Sequence, residues 1–162
     1  MESDLAWYFA YGSNMDPERL FADRLEKAGV PAGRRIAGRL DGWRLTFDKL
    51  ARKPPGAGAG NIVPDPAGIV HGTLNLLPPA GFAVLDRFEG VVDGHYERRI
   101  VRVRRGEADG GGDVEAITYV ALKTAPGLRP TRGYLRHLMA GQDLLPPDYA
   151  RWLGATPTLE DG

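Results

Sequence analysis

Apolar and polar positions change period several times along the chain, and each change predicts an element. Leu5 to Ala10 (LAWYFA) is a continuous apolar run rich in aromatics that stops at the turn-forming Tyr11-Gly12-Ser13-Asn14, which predicts a buried strand running into a tight loop. Asp16 follows as an N-cap and Pro17 as the first helical residue, and Phe21, Leu25 and Ala28 repeat at i, i+4 and i+7 before Gly29. That spacing predicts a helix over 17–28. Trp43, Leu45 and Phe47 then alternate with Arg44, Thr46 and Asp48, the two-residue repeat of a half-buried strand, and Ile36 to Leu40 reads as a strand before it. Pro54 to Gly60 (PPGAGAG) reads as a flexible loop, and residues 61–63 and 68–77 as two strands broken by Pro64-Asp65-Pro66.

Pro78-Pro79 opens a short helix with Phe82, Leu85 and Phe88 on one face, ending at Glu89-Gly90. Residues 96–104 and 114–122 alternate in strand fashion around the tip Gly110-Gly111-Gly112. Two helical segments close the pattern, 131–140 with Tyr134, Leu135, Leu138 and Met139 on one face, and 147–153. Six to seven short strands interrupted by helices, without a βαβα alternation, predict an α+β fold. The expectation is a small mixed or antiparallel β-barrel flanked by helices, one domain over 1–154 with 155–162 as a flexible tail.

Composition narrows the function. Of 162 residues, 21 are basic and 21 acidic, which argues against a dedicated nucleic-acid or anionic-membrane binder. Cysteine is absent, which excludes a disulfide scaffold, a thiolate metal site and a cysteine nucleophile. Glu2 and Asp4 stand where a secretory signal would be basic, and no apolar run nears the ~18 residues of a membrane span. A cytoplasmic location is the expectation. His71, His95 and His137 make no ligand spacing, so no metal is expected.

Two local features can carry chemistry. At the Tyr11 to Met15 loop, backbone N–H groups at a helix start can hold a carboxylate or phosphate, with Gly12 allowing close approach; helix capping by Ser13, Asn14 and Asp16 is the plainer reading. Glu89 stands at a helix end between Phe88 and Val91-Val92, where desolvation and the helix dipole should raise its pKa toward that of a general acid/base; an ordinary surface glutamate is the alternative. The Gly56 to Gly60 run lacks the lysine and spacing of a phosphate loop. Arg98, Arg102 and Arg104 share a strand face that solvation explains, and Ser13 has no nucleophile elbow.

Tyr8 to Met15 (YFAYGSNM), with Leu85-Asp86-Arg87-Phe88-Glu89-Gly90 and Gly94-His95-Tyr96, resembles the gamma-glutamylcyclotransferase family in segment order and separation. The resemblance implies a small β-barrel with flanking helices, and a γ-glutamyl group held by Tyr11, Gly12, Ser13 and Asn14. It implies Glu89 as catalytic acid/base, and Tyr96, Tyr119 and Tyr134 as pocket walls. The segment 131–153 follows the family only loosely.

The implied reaction is intramolecular. The α-amine of a γ-glutamyl amino acid or peptide attacks its own γ-carbonyl, giving 5-oxoproline and the free amine, with no cofactor. The implied partners are a small-molecule γ-glutamyl substrate and, optionally, a second copy of the chain. Two other readings stand beside it: action on γ-glutamyl amines, and a non-catalytic module binding a small carboxylate, against which a carboxylate at Glu89 counts.

Overall fold

The computed structural model describes residues 4–161. Five strands, β1 (Ala6–Ala10), β2 (Arg35–Leu50), β3 (Gly58–Leu77), β4 (Tyr96–Arg105) and β5 (Asp113–Ala121), close into a barrel in the order β1-β3-β2-β4-β5. Neighbours are antiparallel except β1 and β5, which close the barrel in parallel with Trp7 opposite Ala116. The α+β barrel is the predicted class; the strand count is five rather than six to seven.

The count falls because two predicted pairs are single strands. β2 runs unbroken through Gly42, whose left-handed φ of 85° bends the strand without ending it. Opposite, pairing moves from Asp41 with Ile69 to Trp43 with Pro64, so residues 65–68 arch out of the ladder. Asp65 accepts the Ala67 N–H there at 3.0 Å. Prolines at such an irregularity remove no ladder donor, so Pro64 and Pro66 shape β3 instead of ending it.

The segment after β1 forms a helix as the spacing predicts, but winds as a π-helix over Glu18–Leu25 with a 3-10 turn over Glu26–Ala28 and Gly29 at φ 83°. Three α-helices follow: α1 (Pro79–Phe88), α2 (Arg132–Met139) and α3 (Pro147–Gly154). Thr131 caps α2 by accepting the Tyr134 N–H at 3.1 Å. Residues 155–161, predicted as a tail, contact the start of α2: Leu159 N–H donates to the Pro130 carbonyl (2.8 Å) and the Glu160 carboxylate accepts the Arg132 N–H (3.0 Å). No helix among the described residues is long and apolar enough to cross a membrane.

Alternation along β1 splits the core in two. Phe9 joins Ile62, Leu74 and Val103 in a cluster built from strand residues and Tyr11 of the loop after β1, whereas Tyr8 and Ala10 face Leu77, Leu85, Leu138 and Leu153 beneath the helices. The chain leaving β1 therefore emerges between barrel and helices, and the site forms at that seam.

Candidate active site

Strand β1 runs straight into the Tyr11-Gly12-Ser13-Asn14 loop, which closes as a 3-10 turn over Ser13–Met15 with Met15 N–H donating to the Gly12 carbonyl at 3.0 Å. Opposite stands the C-terminal end of α1, where the Glu89 N–H bonds to the Leu85 carbonyl at 2.8 Å and Gly90, at φ 64°, turns the chain away. Loop residues 11–14, Glu89, Tyr96, Tyr119 and Tyr134 all line one cavity. The eight residues singled out from the sequence thus come together in space, although their functional roles are a separate matter.

Only 17% of the Glu89 side chain is exposed. Burial pushes its carboxyl above the ordinary glutamate value, while the Arg24 guanidinium (3.9 Å), Arg19, Lys49 and a hydrogen bond from Asn14 pull it back without cancelling the rise. The Phe88 ring is half exposed and lies over the Arg24 guanidinium, 4.6 Å from its centroid.

The loop divides the capping reading in two. Asp16 alone caps, its carboxylate accepting the N–H groups of Glu18 (3.0 Å) and Arg19 (3.4 Å). Those helix-start donors are filled, so any anion held here must use the loop backbone and not the helix N-terminus. Asn14 is buried and faces the cavity: its amide nitrogen donates to the Tyr8 hydroxyl (3.0 Å) and to Glu89 (3.3 Å), and its oxygen accepts from Arg24 (2.9 Å). Space at Gly12 is tight, since a Cβ there would stand 3.1 Å from the Tyr134 hydroxyl, which would have to give by a few tenths of an ångström.

Three of the tyrosines spend their hydroxyl protons on the protein. Tyr11 donates to the Tyr119 carbonyl (2.5 Å), Tyr96 to the Gly60 carbonyl (2.7 Å), and Tyr119 to Asp86 (2.7 Å), which also takes a two-pronged contact from Arg98. These three present rings to the cavity. Tyr134 differs: its oxygen accepts the Gly60 N–H at 2.8 Å, with the Ser13 N–H also directed at it. Among the described residues its own proton has no acceptor.

Sequence reading missed Tyr8, Arg24 and Gly60. Tyr8 lay inside an apolar run that reads as core. Arg24 stands three positions after Phe21, a buried-stripe position of the predicted helix, and so beside that stripe, which is a signal that could have found it. Gly60 was assigned to a flexible loop, whereas β3 already begins at Gly58 and Gly60 anchors two tyrosines. Among the described residues no three histidine, aspartate or glutamate side chains group to hold a metal ion.

The structure is similar to the human uncharacterized protein loc79017, at TM-score 0.82 and 25% identity over 96% of this chain and 89% of that one. A solved gamma-glutamyl cyclotransferase superposes at TM-score 0.82 with 24% identity, covering 95% of this chain and 89% of that one. A yeast gamma-glutamyl cyclotransferase specific to glutathione does so at 0.63 with 13% identity over 93% and 94%. These likenesses give the fold. No curated protein sequence matches. The AIG2-like pattern matches residues 69–153, from β3 through α3 and across Glu89, Tyr96, Tyr119 and Tyr134. The chain belongs to the AIG2-like family and has the gamma-glutamylcyclotransferase fold.

Proposed function

We propose that the protein is a 5-oxoproline-forming cyclotransferase acting on γ-glutamyl compounds. The observation that carries this reading is the Glu89 carboxyl, mostly buried, shifted upward and aimed into a tyrosine-walled cavity beside a backbone loop. A carboxyl so placed can take and return a proton near neutral pH.

In the proposed reaction the substrate lies curled, so that its α-nitrogen meets its own γ-carbonyl carbon; holding it so supplies the proximity term. Glu89 takes a proton from the α-ammonium, and the freed amine adds to the carbonyl. The Tyr134 hydroxyl, whose oxygen is already occupied by the Gly60 N–H, donates to the carbonyl oxygen as negative charge develops there. Collapse of the tetrahedral intermediate breaks the bond to the leaving nitrogen, which receives the proton that Glu89 holds; the ring nitrogen, left with two hydrogens by the addition, gives the second one back to Glu89, which passes it to the departing amine so that it leaves as an ammonium. Five-membered 5-oxoproline and a free amine result, and atoms and charge balance without a cofactor. Asn14 and Arg24 fix the position of the Glu89 carboxylate and do not themselves exchange protons.

The reading is tested by incubating purified protein with a panel of γ-glutamyl peptides and amines and detecting 5-oxoproline by mass. Glu89→Gln is expected to fold and to lose about 10²- to 10⁴-fold in turnover. A non-catalytic binder of small carboxylates on the same fold would give no 5-oxoproline from any member of the panel.

A further inference from the structure

Asp16 has a second task besides capping the π-helix. One of its carboxylate oxygens accepts the N–H groups of Glu18 and Arg19, and the other stands 2.8 Å from the Nδ1 of His137 on α2. The far ring nitrogen, Nε2, lies 3.2 Å from Nη1 of Arg19. A guanidinium can only donate, so Nε2 accepts and the ring hydrogen sits on Nδ1, where the Asp16 carboxylate takes it. The line Asp16–His137–Arg19 thus fixes one tautomer of a neutral ring. Its last bond is the only one made by the Arg19 side chain among the described residues, and the Arg19 Nε is buried without a partner. Arg24 stands near enough to repel Arg19, so a guanidinium released by His137 would be driven off.

The charge held there bears on the candidate site, because it draws down both the Glu89 carboxyl and the Tyr134 hydroxyl. Tyr134 and His137 are three positions apart on one face of α2. The ring that holds Arg19 and the hydroxyl that meets the Gly60 N–H are therefore carried by one rigid turn.

We propose that Asp16 and His137 are positioning residues, which hold the Arg19 guanidinium where its charge steadies the Glu89 carboxylate and which tie α2, with Tyr134, to the loop after β1. Neither exchanges a proton with substrate. The inference rests on the reaction read at Glu89 only for its effect on turnover.

Two measurements test this. The first is kcat against pH with γ-glutamylalanine. His137→Leu removes both bonds of the ring and Arg19→Met removes the charge. Each is expected to lower kcat about tenfold, the worth of a hydrogen bond to a charged group, and to move the acid limb to higher pH. His137→Gln, whose amide can accept from Arg19 and donate to Asp16, should bring the limb back. Asp16→Asn separates the two tasks: its oxygen still caps, but its amide hydrogen faces Nδ1 and drives the ring hydrogen to Nε2, against Arg19. The limb should move there too, although the helix start is kept. The other charged and titratable groups facing Glu89 are Arg24 of the π-helix, Lys49 of β2, and Tyr8, Tyr11, Tyr96 and Tyr134, and no variant alters them. A limb that moves in Arg19→Met but stays put in His137→Leu or Asp16→Asn overturns the positioning role, as does one that moves equally in His137→Leu and His137→Gln.

The second measurement needs no turnover. The Glu89 carboxyl carbon, isotopically labelled, is titrated by NMR in the wild type and the same variants. A midpoint displaced upward in Arg19→Met, His137→Leu and Asp16→Asn, and restored in His137→Gln, supports the assignment even if no 5-oxoproline forms, in which case the reaction at Glu89 fails by itself. One midpoint common to all the proteins overturns the positioning role whatever the activity.

Discussion

The amide nitrogen of Asn14 stands 3.3 Å from the Glu89 carboxylate, across 75 positions of sequence, while Arg24 holds the oxygen of the same amide at 2.9 Å. A loop residue thus positions a helix-end carboxylate, and a cation on a third element positions the loop residue. Replacing Asn14 by Leu, of similar size, removes both bonds and the third one, to the Tyr8 hydroxyl. Turnover is expected to fall on the order of tenfold or more, the worth of a hydrogen bond to a charged group. The acid limb of kcat against pH should move upward, because the bond lowers the Glu89 pKa. A residue that only supported the fold would leave that limb where it was.

Arg24 and Phe88 give a contrasting pair. Arg24 is the largest influence pulling the Glu89 carboxyl down, so Arg24→Met should move the acid limb to higher pH. Phe88 is half exposed with its ring over Arg24, so Phe88→Gln is expected to leave the limb in place. A downward movement in Phe88→Gln, read from the same pH–rate profile, would make Phe88 the desolvating group after all.

Glu89 also makes stability depend on pH with a definite sign. Its folded pKa lies above the unfolded value of about 4.3, so the fold binds that proton more tightly than the unfolded chain does. This contribution is complete below the unfolded pKa and is lost as pH rises through the folded one. Glu89→Gln, permanently neutral, should therefore melt above the wild type at pH 8, by about 2–4 °C for each kcal/mol gained, and lose that advantage toward pH 4. Thermal midpoints across the range decide it; a constant offset would point to packing instead.

Space at the loop is set by one hydroxyl. A Cβ at Gly12 would stand 3.1 Å from the Tyr134 oxygen and one at Gly60 3.0 Å from it. Gly12→Ala should cost turnover by displacing Tyr134, with a smaller effect on thermal stability. In a Tyr134→Phe background, where that oxygen is gone, the same substitution should cost little more. Equal losses of kcat/KM in both backgrounds would mean that the glycine serves something other than room for Tyr134.

Much of this was legible along the chain. Helix starts at Pro17, Pro79 and Pro147 and the loop after β1 follow from local chemistry, because capping and turn residues act within a few positions. What local patterns could not show was continuity: Gly42 and Pro64-Asp65-Pro66 read as strand ends, and only long-range pairing across the β2–β3 ribbon makes them bends. The site followed the same division. Glu89 and the tyrosines were visible through their segments, but the partners that tune Glu89 were not. Arg24 comes from another helix, and the hydroxyl bonds of Tyr11 and Tyr96 reach backbone atoms on other strands.

Barrel closure has a consequence for how the chain is made. β1 pairs in parallel with β5, Trp7 against Ala116, and the Tyr11 hydroxyl reaches a carbonyl 108 positions later. The loop at residues 11–14 is thus synthesised well before its walls at Tyr119 and Tyr134. Contacts of such separation form late and slowly. A nascent chain halted before Tyr134 would carry the loop and Glu89 without the cavity that joins them. Its strand β1 would already have both partners, β3 and β5, so the barrel could close before the cavity is complete, and activity should switch on as a late event when α2 brings Tyr134.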